Sequence, residues 1–357
     1  MKLDHVSSER LNLLRFPLIV GVVFLHAYAG NIETTTEISR SEGLSDLIQY
    51  LISKRITRIS VPLFFLISGY LFFLNFEWSL DNYIRKLSRR IHSLLIPFLF
   101  WNSLTLLLLV IAESIPAVQI YFSGQNRQIY SFEVFDYFNA LLGINRFPIS
   151  YQFWFIRDLM IMVLLVPLLQ LIFRTVPIPF LGLLGLLWFF LIWPIYMPSP
   201  AASLFFCLGA FFAFSGQNIF AFDRYGNIFI SIYIAILVLL ALTRENELNG
   251  YINRIGILFG MASALYISKL VLKIKTLKSF LLWTSGCSFF VFAVHEPTLG
   301  IFRKLSYKLI TPNSDITILA LYFIVPLAVI SVSIMSYVTL KMIAPKFLSV
   351  ISGGRSW

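Results

Sequence analysis

Residues 316–340 read ITILALYFIVPLAVISVSIMSYVTL, twenty-five residues without a charge. A helix needs about 20 predominantly apolar residues to cross the hydrocarbon core of a bilayer, and this stretch is long enough. Working outward, the same test picks out nine more stretches: 11–30, 58–76, 91–112, 151–173, 178–197, 200–216, 226–243, 252–272 and 280–300. The longest polar connections are 31–57 and 113–150. Composition agrees. Of 357 residues, 58% are hydrophobic and 13% charged, where a soluble domain carries about 25% charged. Mean hydropathy is +0.82. Such a chain cannot cover itself with polar surface in water. The sequence predicts an all-α polytopic membrane protein with about ten transmembrane helices, a single integral-membrane domain over 1–357 and no separate soluble domain. A soluble enzyme, a disordered chain and a disulfide-rich scaffold are excluded.

Ala27-Tyr28-Ala29 fits a signal-peptidase pattern. However, Arg15, Pro17 and His26 interrupt the apolar run before it, so the first stretch is expected to remain a span. Placing the N-terminus inside assigns sixteen Lys and Arg and five Asp and Glu to the inner side, and twelve of each sign to the outer side. The whole net charge of +11 then lies on one face. This is the positive-inside pattern, and it predicts cytoplasmic N- and C-termini. In a soluble protein +11 would suggest nucleic acid. Here it reads as topology and attraction to anionic membrane lipids, and no nucleic-acid partner is expected. Cys207 and Cys287 show no metal-ligand spacing, so no metal is expected.

A charged group inside a span costs at least about 2.5 kcal/mol unless it faces a cavity or a partner. Four places stand out. Arg15 and His26 are eleven residues apart, three helical turns plus about 20°, so they share one face about 16 Å apart along the axis. Histidine suits acid–base work near neutral pH; a snorkelling Arg and a carbonyl-bonded His are the structural alternative. His295-Glu296-Pro297 lies at a depth like that of His26, where a second histidine could line the same cavity or the helix could simply end before the proline. In Trp154-Phe155-Ile156-Arg157-Asp158, Trp154 shares a face with both charges. Arg157 and Asp158 point about 100° apart, so each is expected to find its partner elsewhere, a histidine or another helix. Arg85, Lys86, Arg89 and Arg90, at the inner mouth of the third stretch, either set topology or dock a phosphate-bearing cofactor. Lys54, Arg55 and Arg58 sit on the opposite side. They either hold an anionic acceptor or pair with Glu33, Glu37, Glu42 and Asp46.

Four segments in order resemble the membrane-bound acyltransferase-3 family, most nearly its sugar O-acetyltransferases of the fucose 4-O-acetylase type. Arg15-X10-His26 is similar to the family's Arg-X10-His motif. Val61-Pro62-Leu63-Phe64-Phe65-Leu66-Ile67-Ser68-Gly69-Tyr70 resembles its second-span signature. Phe153-Trp154-Phe155-Ile156-Arg157-Asp158 resembles its W-F-x-R-D segment, and Phe290 to Pro297, with His295, its late H-x-P segment. One frame departs. Where the family carries Arg-x-x-Arg, this chain has Arg90-Ile91-His92-Ser93, with Lys86 and Arg89 forming a three-residue pair one turn earlier.

The resemblance implies an O-acyltransferase that takes an acyl group, usually acetyl, from cytoplasmic acyl-CoA. Acetyl-CoA is thus the implied co-substrate, and the acceptor is a hydroxyl of a surface polysaccharide or lipid-linked sugar. On that reading Arg15, Arg85, Lys86, Arg89 and Arg90 bind the cofactor, and Arg55, Arg58 and Trp154 bind the acceptor. His26 and His295 act as bases or acyl carriers, Arg157 or a backbone donor stabilises an oxyanion, and Asp158 or Glu296 fixes a histidine tautomer. The competing reading is a secondary transporter or flippase for a lipid-linked sugar or small anion, whose proton relay would use the same buried residues.

Overall fold

The computed structural model describes residues 4–28, 43–115, 129–312 and 314–354, and every element among them is helical. Glu33, Glu37 and Glu42, and Ala29 of the Ala-Tyr-Ala pattern, lie outside the described residues.

Each of the ten apolar stretches carries a helix. Five helices are long and apolar enough to cross a membrane: Leu44–Phe73, Leu80–Glu113, Asp223–Leu242, Asn249–Val271 and Asp315–Ile343. Two bent pairs raise this to seven if each is one span: Tyr151–Leu164 with Val166–Thr175, bent by 60°, and Lys275–Ser285 with Ser288–Leu309, bent by 68°. The remaining three fall short for visible reasons. His5–His26 is 22 residues long but carries Glu9, Arg10 and Arg15. Pro177–Phe190 and Pro200–Phe214 have only 14 and 15 residues. The fifth stretch, expected to run to 197, stops as a helix at Phe190, where Leu191 turns into the left-handed region (φ 56°). Just 11% of the apolar window of Asp223–Leu242 is buried, and Leu242 and Leu309 are 80% and 83% exposed. Side chains of that kind find a favourable surrounding in lipid, not in water.

The first helix runs through the centre. It starts at Asp4, whose carboxylate accepts the Ser7 amide at 2.6 Å, and that amide holds the carboxyl below the usual carboxylate range. Its Leu11, Leu14, Leu18 and Val22 are buried. Arg10 is buried beside them, forked onto Asp223 at 2.6 and 2.9 Å and stacked 3.6 Å over the Phe220 ring. Its Nη2 also donates to Leu265 O, and its Nε to Ser268 Oγ. This fork anchors the start of the helix, and Arg15 follows five residues on.

The Ser60–Phe73 helix carries the whole Val61–Tyr70 signature. It crosses Pro200–Phe214 backbone against backbone. A Cβ on Gly69 would run into the Phe206 carbonyl, and one on Gly209 into the Leu66 carbonyl. Where lipid removes the hydrophobic drive, such close approach of small residues supplies the packing energy. The second pair of signature residues, Phe64 and Phe65, stacks on Phe155 at 5.8 and 4.7 Å. The Trp154–Leu164 helix is thereby set against the same wall.

Candidate functional site

A cavity of about 580 Å³ lies between these helices. Arg15 and Arg90 line one part of it, and His26, Arg58 and Tyr151 another. Leu18, Val22, Phe64, Trp154, Phe155 and Phe292 supply apolar wall, with Ser68, Ser285 and Ser288 as hydroxyls. Among the described residues no Asp or Glu lines it. Arg15 and Arg58 make no hydrogen bond or ion pair with the described residues. Three guanidinium groups therefore face an apolar chamber with no lining carboxylate, a surrounding suited to an anionic ligand with a slender apolar middle.

Arg15 and His26 share this cavity because one continuous helix, with Pro17 inside it, carries both. His26 is its last residue, and the freed carbonyls of that end are taken up locally. Ser53 Oγ donates to Phe24 O at 2.5 Å, the Ala27 amide donates to the same oxygen at 3.2 Å, and Arg303 Nη1 donates to His26 O at 3.4 Å. The His26 Nδ1 lies 3.1 Å from the Tyr151 hydroxyl, with the two rings edge to face at 5.2 Å.

His295 lies behind His26, with no exposed surface and a ring centroid 5.6 Å away. Its Nδ1–H donates to Phe292 O at 2.6 Å. The other nitrogen, Nε2, therefore carries the lone pair, and it is buried without a partner among the described residues. The proline after Glu296 breaks the helix at that residue (φ −116°, ψ 134°), and the chain becomes helical again to Leu309. The helix end weighed at this point is thus a break, and His295 sits on its inner side. The carbonyls of Ala293 and Glu296, freed by the break, accept the Gln152 side-chain amide at 3.2 and 3.0 Å. Glu296 itself faces the Tyr151 hydroxyl and Arg303.

Arg157 and Asp158 behave differently from expectation. They pair with each other, Nε and Nη2 of the guanidinium donating to one carboxylate oxygen at 3.0 and 2.9 Å. The 100° offset of neighbouring residues limits Cβ directions but not a side chain as long as arginine, which folds back over its own backbone. The second oxygen of Asp158 accepts the Ser199 amide at 2.8 Å, ahead of the Pro200 helix, and Arg157 Nη1 donates to Gly143 O at 2.5 Å. Both are buried and neither lines the cavity. With its oxygens so engaged, Asp158 is not a partner of either histidine.

The basic cluster also separates. Arg90 lines the cavity, whereas Arg85 and Arg89 are exposed, Arg85 donating to Asn82. Lys86 turns inward onto the carbonyls of Phe72 and Leu74 and sits over the Phe72 and Phe76 rings. On the other side, Arg58 and Trp154 line the cavity but Arg55 does not; its guanidinium lies 4.5 Å over the Tyr50 ring. Asp46 is taken by Arg244 and the Tyr28 hydroxyl. Tyr151, Gln152 and Arg303 were missed. The first two directly precede the Phe153-Trp154 motif, and Arg303 is a basic residue against the positive-inside trend.

Among the described residues no cluster of His, Cys, Asp and Glu could hold a metal ion. No solved structure matches the chain. It is similar to the succinoglycan biosynthesis protein ExoH of Rhizobium meliloti strain 1021, 26% identical over 362 residues that cover 99% of this chain and 94% of that protein. The sequence profile of the acyltransferase-3 family, described as an acyltransferase domain, matches residues 8–335. The chain is therefore a membrane O-acyltransferase belonging to the acyltransferase-3 family.

Proposed function

We propose that the protein moves an acyl group, acetyl in the simplest case, from acyl-CoA to a hydroxyl of a surface polysaccharide or lipid-linked sugar, at the bacterial inner membrane. The observation that carries this reading is the one cavity shared by Arg15, Arg90 and His26, with no carboxylate among the described residues of its lining. Arg15 and Arg90 fit the phosphates of CoA, on the side that the charge distribution makes cytoplasmic. The apolar stretch between them and His26 fits the thin pantetheine arm. Arg58 and Trp154 hold the acceptor. The similarity to a protein of succinoglycan biosynthesis supports a polysaccharide acceptor.

A sugar hydroxyl is a weak nucleophile until a base takes its proton. His26 takes it. The acceptor oxygen bonds to the thioester carbon, the carbon–sulfur bond breaks, and His26 passes the proton to the departing sulfur. Arg157 lies off the cavity, so this sequence uses no oxyanion contact from it.

Purified protein with radiolabelled acetyl-CoA, paired with mass analysis of glycans from cells with and without the gene, tests the reading. Acetyl release or transfer, lost in His26→Ala, together with an acetyl mass difference on a glycan is expected. Intact acetyl-CoA alongside movement of a lipid-linked sugar between leaflets would make the protein a transporter instead.

A further inference from the structure

We propose that Tyr151 and Glu296 are positioning residues for His26. In this arrangement Glu296 accepts the Tyr151 proton, Tyr151 accepts the His26 Nδ1–H, and Nε2 of His26 is left as the working nitrogen. The inference rests on the reading of His26 as the base and adds how that base is aimed. Tyr151 supplies the only side-chain hydrogen bond to His26 among the described residues, at 3.1 Å. His295 cannot share that role, because its single N–H is spent on Phe292 O.

A phenol has one proton to give. In the proposed chain Glu296, the acid side chain beside the hydroxyl, is the acceptor, so the proton of Tyr151 points to it. The phenolic oxygen then presents its lone pair to Nδ1, which must carry the hydrogen. The opposite assignment, Tyr151 donating to Nδ1, would put the hydrogen on Nε2, and the tautomer measurement below separates the two.

A separate contact keeps the two ends in register. Gln152, the next residue after Tyr151, fastens its amide to the backbone oxygens of Ala293 and Glu296. The break at Glu296 frees those carbonyls, and without it the side chain of Gln152 would have no acceptor there. Arg303 spans the same group from the other side, donating to His26 O and facing Glu296.

Protons balance through the cycle. When Nε2 takes the acceptor hydroxyl proton, Nδ1–H stays on the Tyr151 oxygen and the Tyr151 proton stays toward Glu296. The proton on Nε2 leaves with the CoA sulfur as the carbon–oxygen bond forms and the carbon–sulfur bond breaks. Nothing is left on the chain.

Tyr151→Phe keeps the ring and its edge contact and removes only the hydroxyl. Its kcat should fall about 10- to 100-fold, part of the roughly 10²–10⁴ that a positioned base contributes, with KM for acetyl-CoA within twofold. Glu296→Gln should show a smaller fall in the same direction. The chain has four histidines, so ¹⁵N-histidine NMR of the full-length protein in detergent can read the tautomer, with His26→Gln assigning the signal. Nδ1–H is expected in the wild type, and a shift toward Nε2–H in Tyr151→Phe. In the His26→Gln background, Tyr151→Phe should have no further effect.

An unchanged tautomer, a kcat within twofold of wild type, or additive losses in the double variant would overturn the proposal. Full activity in His26→Gln alone would instead remove the base reading, while the tautomer measurement would still decide the Tyr151 link.

Discussion

The rings of His26 and His295 lie 5.6 Å apart and 32° from parallel, yet only His26 borders the cavity. His26→Ala should therefore lower turnover by about 10²–10⁴ while leaving KM for acyl-CoA within threefold. His295→Gln should cost about tenfold or less, because it touches no substrate. Equal losses in the two variants would show that the buried ring takes part in the chemistry directly.

Arg15 and Arg90 face the chamber, whereas Arg85 and Arg89 face out. A hydrogen bond to a charged group contributes about 1.5–3 kcal/mol, so Arg15→Gln and Arg90→Gln should each raise KM for acyl-CoA by about tenfold or more. Arg85→Gln and Arg89→Gln should stay within twofold. Steady-state kinetics at fixed acceptor decides it. If the four variants behave alike, the cluster acts through the field of the inner face and not through contact.

The Arg157–Asp158 pair is sealed inside, and removing one partner of a buried pair costs about 3–5 kcal/mol. Asp158→Asn should lower the melting temperature in detergent and reduce expression before it reduces specific activity. A variant that folds and melts like the wild type but turns over no substrate would return the pair to the catalytic machinery.

Gly69 and Gly185 give a contrast within one molecule. Gly69→Ala sets a methyl group against the Phe206 carbonyl, while Gly185→Ala has no heavy atom within 4 Å of the added carbon. The first should fail to accumulate as folded protein or melt far below wild type. The second should be neutral or slightly stabilising, since alanine suits a helix interior better than glycine. Size-exclusion profiles in detergent report both.

The parts of the site that could be read in advance follow from helix periodicity. Eleven residues is close to three whole turns, so Arg15 and His26 had to share a face if the stretch stayed helical, and it does. Spacing failed where side-chain length or backbone irregularity takes over. Arg157 reaches its own neighbour because a long side chain can turn back. Within the Leu80–Arg90 helix the period still holds: Lys86 and Arg90, four apart, both sit over the Phe72 ring, and Arg85 and Arg89, four apart, are both exposed. Tyr151 and Gln152 carry no charge, so nothing marks them as costly in lipid, and their partners lie more than a hundred residues away. Helix number was blurred for a related reason: short apolar helices and bent pairs carry the same composition as full spans.

The backbone contact of Gly69 and Gly209 has a consequence for how this enzyme can diversify. The wall that carries Ile67, Ser68 and Leu71 is held at the distance of two touching main chains, so trimming or enlarging its side chains cannot move it. Room for a longer or bulkier acyl group has to come from the facing aromatic wall, Trp154, Phe155 and Phe292. There a Phe→Leu or Trp→Phe exchange adds space by shortening a side chain, with the touching main chains of the opposite wall left in place. One side of the chamber is a fixed datum and the other an adjustable jaw, which makes those three aromatic positions the place to look for, or to engineer, a change of donor.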